Sequence, residues 1–61
     1  MNVKETKEAL ENGAKVTHPS FNEGDWMRIH DKENFIFSDQ TIVPQESFWQ
    51  YNTDEEDWTE V

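Results

Sequence analysis

With no cysteine among its 61 residues, this chain holds a fold together by side-chain packing alone. Disulfides and thiolate zinc sites, common staples of very short domains, are excluded. Ordering a chain costs roughly 1.5 kcal/mol per residue, and a domain this small buries little more apolar surface than offsets that cost. The material available for a core is aromatic: Phe21, Trp26, Phe35, Phe37, Phe48, Trp49, Tyr51 and Trp58. Each of these rings removes about 150–250 Å² from water when buried. That density argues against a disordered chain although 31% of residues are charged, and it predicts a single domain over residues 1–61.

Fourteen acids against five bases give a formal net charge of −9 and a pI near 4.3. The charge is unevenly placed. Residues 1–32 hold six acids and all five bases, net −1, whereas residues 33–61 hold eight acids and no base, net −8. A lysine and arginine surplus, which binding to nucleic acid phosphates requires, is missing, so direct nucleic-acid binding is not expected. No apolar run approaches the ~18 residues of a membrane span, and the opening residues lack the apolar stretch of a signal peptide. A cytoplasmic protein without membrane association is the expectation.

Local patterns predict an α+β fold: one N-terminal helix packed on a small antiparallel sheet of three to five short strands. Asn2 and Glu5 form a capping box at the start of a helix that runs to Asn12, and Gly13 supplies the left-handed stop. Val3, Thr6 and Leu10 share its inward face. Ala14–Thr17 reads as a strand, stopped before Pro19. Residues 26–30 alternate, with Met27 and Ile29 on one side and Trp26, Arg28 and His30 on the other. Residues 35–37 pair with them as a hairpin across a polar turn, and Thr41–Val43 follows as a further strand ended by Pro44. Residues 45–51 fit either a strand or a helical turn. Thr53 and Glu56 form a second capping box for a one-turn helix, and residues 58–61 read as a terminal strand.

Motifs for catalysis are missing. No G-x-S-x-G, Walker A or G-x-G-x-x-G sequence occurs, and fourteen carboxylates make some acid pair inevitable without marking one out. His18 and His30, the only histidines, lie twelve positions apart and form no i, i+4 ligand pair. An EF-hand register beginning at Asp31 fails at Phe35, Ile36 and Ile42. Neither a catalytic residue, a metal site nor a cofactor is expected; the chain reads as non-enzymatic.

Binding remains. Aromatic rings interleaved with carboxylates in the second half suit a basic, partly apolar protein surface, and the residues expected to form the interface are Glu46, Trp49, Tyr51, Asp54, Glu55, Glu56, Asp57 and Glu60. They are expected to make one continuous negative surface with its rings exposed, on which carboxylates stand in for DNA phosphates. The alternative places a ligand in the loop from Thr17 to Trp26, where His18, Ser20, Phe21, Trp26 and Arg28 gather an imidazole, polar donors and rings of the kind that hold a nucleobase or ribose.

The segments Glu8-Ala9-Leu10-Glu11-Asn12-Gly13-Ala14-Lys15-Val16 and Asp57-Trp58-Thr59-Glu60-Val61 resemble the opening and closing segments of the type-two Thoeris anti-defence family of small phage proteins. The resemblance follows the order of elements along nearly the whole chain, and it departs at His18 and Phe21, where that family tends to carry a basic residue and then Trp. It implies a phage-encoded, homo-oligomeric α+β protein that acts without catalysis, in the cytoplasm of its host. Joined to the charge pattern it suggests an inhibitor that binds and neutralises a host defence or regulatory protein. The alternative that it implies is a sponge for a cyclic-nucleotide immune signal.

Overall fold

The computed structural model describes all residues, 1–61. In chain order they form α1 (Val3–Glu11), β1 (Val16–Thr17), β2 (Met27–Ile29), β3 (Asn34–Phe37), β4 (Ile42–Pro44), α2 (Gln45–Tyr51) and β5 (Thr59–Glu60). The strands form one sheet in the order β4-β3-β2-β1-β5, with every neighbouring pair antiparallel. No helix is long and apolar enough to cross a membrane.

Helix α1 starts and stops as its sequence directs. Asn2 Oδ1 accepts from Glu5 N at 2.8 Å, and Glu5 Oε1 accepts from Asn2 N at 3.0 Å, so two otherwise orphaned donors of the first turn are satisfied. The chain leaves the helix through Gly13 at φ +89°, a conformation that penalises any residue with a Cβ. Thr6 is completely buried, which its hydroxyl tolerates by donating to Asn2 O at 2.7 Å. Leu10, one turn on, enters the core.

The core is Leu10, Val16, Met27, Phe35 and Trp58, all essentially inaccessible to water. Strand alternation puts Val16, Met27 and Phe35 on the side of the sheet that both helices cover, and Met27 stands across from Phe37. The register Arg28↔Ile36↔Ile42 gives a row on the opposite side. No helix covers that side.

Two sequence expectations are corrected, and one alternative left open is decided. Strand β1 is shorter than Ala14–Thr17, because Ala14 N is drawn back to Ala9 O as part of the helix stop. Residues 45–51 are helical. A strand would alternate Phe48 and Trp49 to opposite faces, whereas the helix turns both rings inward, Phe48 edge-on to Phe35 at 5.5 Å and Trp49 at 6.0 Å. Gln45 anchors that helix to the β2–β3 turn, with its N on Glu33 O and its Nε2 on Asp31 O. Finally, Thr53 caps no helix, and residues 53–57 are irregular. The Trp58 backbone N–H, which would close a helical turn onto Asp54 O, donates to Met1 O instead. Asp54 O accepts from the Trp58 indole at 3.1 Å.

Candidate functional site

Residues 53–57 carry four consecutive acids, Asp54 to Asp57, and the molecule fixes them from beneath. His18 follows β1 and its ring lies 5.0 Å from that of Trp58. Its Nε2 meets Glu56 O at 2.8 Å, and its Nδ1 receives Ser20 N at 3.0 Å. A carbonyl only accepts and an amide only donates, so the neutral tautomer with hydrogen on Nε2 satisfies both ends. Ser20 Oγ donates to Asp54 Oδ2 at 2.9 Å, Asp54 N donates to Asn52 Oδ1 at 2.8 Å, and the Trp58 indole holds Asp54 O. Asp57 takes φ +70°, which turns the chain into β5. Asp54 is half-buried, and Glu55, Glu56 and Asp57 are exposed.

His18, Ser20 and Asp54 match a nucleophile–base–acid set in composition, yet their wiring differs. The outer imidazole nitrogen is engaged by a backbone carbonyl, and the serine hydroxyl sits between Nδ1 and the carboxylate. In a hydrolytic triad the imidazole bridges hydroxyl and carboxylate. This arrangement is a clamp on a loop.

The other predicted interface residues surround this loop unevenly. Trp49 and Lys7 form a ridge, with Lys7 Nζ 5.2 Å from the indole centroid. On one side of the ridge lies a groove of about 560 Å³ bordered by Lys4, Asp54, Glu55 and Glu56. On the other lies one of about 670 Å³ bordered by Glu11, Lys32, Glu33 and Glu46, with Leu10 and Phe35 at its base. Tyr51 is 80% exposed at the end of α2. Glu60 sits on the edge strand β5, across from Val16.

The expectation of a continuous negative surface studded with rings is therefore corrected. Lys7 stands between the carboxylates of the two grooves. Trp58 and Phe35 are swallowed by the core, Phe37, Phe48 and Trp49 pack against it, and Tyr51 is the one ring of the second half left exposed. Packing decides this: the rings are the largest apolar groups available to a chain of this length, and closing its core draws most of them in.

The alternative ligand set is also divided. His18 and Ser20 hold the acidic loop, and Phe21 packs against Phe37 at 5.7 Å and Trp58 at 5.6 Å. Trp26 lies under Lys15 Nζ at 4.4 Å and, with Arg28, belongs to the uncovered side of the sheet. The five do not converge on one site. No group of three or more histidine and carboxylate side chains is gathered as metal ligands would be.

Comparison with family models, with curated proteins and with solved structures gives no match to this chain.

Proposed function

We propose that this chain is a non-catalytic binding protein that docks through its acidic loop on a basic, partly apolar surface of another protein. The observation that carries the reading is the clamp. The loop that carries four consecutive carboxylates is held at the Asp54 and Glu56 backbone by His18, Asn52 and Trp58, and at the Asp54 carboxylate by Ser20. Docking a loop whose backbone is already ordered avoids the entropy of fixing a mobile one, roughly 1–2 kcal/mol per residue. Tyr51, exposed at the end of α2, supplies an aromatic anchor beside the charges. Glu46, Trp49 and Glu60 lie at the margins of the footprint.

In its finer form the proposal is a phage-type inhibitor acting in the cytoplasm of a host cell. Its target is a nucleic-acid-binding defence or regulatory protein, and its carboxylates occupy the positions of DNA phosphates. The resemblance to phage anti-defence proteins supplies that setting, and the charge of the loop supplies the mimicry.

The test is immobilisation of the chain, exposure to bacterial lysate, and elution by salt or by duplex DNA. A basic, nucleic-acid-binding protein is expected, released as ionic strength rises towards about 1 M, where the Debye length is about 3 Å. The variant Glu55→Gln/Glu56→Gln is expected to retain at least tenfold less. Retention that neither salt, DNA nor the variant changes would overturn the charge-based mechanism.

A further inference from the structure

We propose that the uncovered side of the sheet is a second docking surface, separate from the acidic loop, for an acidic protein segment that also carries apolar side chains. In a molecule of net charge −9 this side stands apart. Strand alternation and register assign it Arg28, Ile36 and Ile42 as one row across β2, β3 and β4. Trp26 and His30 flank Arg28 along β2, and together with Ile36 they line a depression of about 260 Å³. Lys15, just before β1, reaches over Trp26. No strand residue facing this side is acidic: Glu60, the only acid within a strand, is in register with Val16, which points to the helices.

The apolar component is also unpartnered. Ile42 is 50% exposed and Val61 68% exposed. Val61 continues β5, with its N–H on Lys15 O. The acids nearest the rim are engaged by neighbouring donors, Asp31 and Asp39 within their own turns and Asp25 across to the turn after β3. Asp31 accepts from Glu33 N and Asn34 N, Asp39 from Thr41 N, and Asp25 from the Ser38 hydroxyl.

Charge complementarity selects the occupant. Two copies meeting sheet to sheet would bring Lys15, Arg28 and His30 against their own kind with no carboxylate to answer them. A nucleic acid would extend past the two formal cations and over the acidic rim, and phosphate binding needs many more contacts. A short segment that alternates carboxylates with apolar side chains matches the cations and the isoleucine row together, and its charge ends where the rim begins. The depression admits one or two side chains and is below the ~300–1,000 Å³ of a small-molecule site.

The experiment selects peptides from a random displayed library on the folded chain and measures their affinities for variants confirmed as folded by circular dichroism. Enriched peptides are expected to combine Asp or Glu with apolar residues. Arg28→Glu/His30→Glu, both at exposed positions, is expected to weaken them at least tenfold and Ile42→Ser severalfold, with Glu55→Gln/Glu56→Gln leaving them unchanged. That last variant separates this surface from the acidic loop, so failure of either proposal is read without the other. The proposal is overturned if no peptide combining Asp or Glu with apolar residues is enriched, whatever basic peptides the acidic loop retains. It is equally overturned by affinities that Arg28→Glu/His30→Glu does not move, by a single-stranded oligonucleotide binding this side, or by concentration-dependent self-association that the same variant abolishes.

Discussion

Trp58 joins three parts of the molecule. Its ring is completely buried among His18, Phe21, Phe48 and Trp49, its indole N–H holds the acidic loop, and its backbone bonds to Met1 in both directions. Trp58→Ala is expected to cost about 3–5 kcal/mol. Typical stabilities are roughly 0.05–0.15 kcal/mol per residue, so the variant should be largely unfolded at room temperature, which near-ultraviolet circular dichroism will show. His18 is different, because it contributes to the loop more than to the core. His18→Ala leaves Glu56 O and Ser20 N without their partner, and faster amide hydrogen exchange over residues 54–57 is expected with the sheet amides little changed. Uniform acceleration across the chain would show instead that the imidazole supports the whole fold.

At the scale of elements, two turns favour the charged form of a carboxylate. Backbone N–H of Glu33, then the Asn34 side chain, hold Asp31 below its ordinary carboxylate value of 3.8, and the Thr41 hydroxyl and amide do the same for Asp39. A carboxyl group whose pKa is lowered by folding stabilises the native state above its ordinary value, and the contribution disappears as pH falls through the lower, folded value. Thermal unfolding followed below about pH 3.8 should therefore show a smaller pH dependence in Asp31→Asn than in the natural chain. How legible each element was follows from where its information lies. Helix α1 is written locally, in Asn2, Glu5 and Gly13, and the β2–β3 hairpin in the alternation from Trp26 to His30. Helix α2 is not, since Phe48, Trp49 and Tyr51 favour strands by propensity and only the docking of two adjacent rings on Phe35 decides. The false cap at Thr53 has the same origin: Met1, distant in sequence, takes the N–H that a helix would have used. The acids of the candidate site were visible as a run. Their clamp was not, because His18 and Glu56 are 38 positions apart.

Across the whole molecule, nineteen formal charges of very unequal sign lie on a body about 23 Å in each direction. Self-repulsion of this kind opposes compaction, and screening relieves it. The unfolding temperature is expected to rise as sodium chloride increases from low to moderate concentration, while binding through the acidic loop weakens over the same range. Stability that fell with added salt would mean that the few attractive pairs outweigh the net repulsion. The two opposite trends, measured on one sample series, separate the part of the charge that burdens folding from the part that serves association.

Pairing of β1 with β5 has a consequence for biosynthesis. Val16 has its partner at Glu60, and the ring that closes the hydrophobic interior is Trp58, so a polypeptide that ends short of position 58 leaves Leu10, Met27 and Phe35 open to water. Long-range contacts of this kind delay folding. A nascent chain arrested short of position 58 should be held by chaperones or cleaved, and one released just beyond it should resist both.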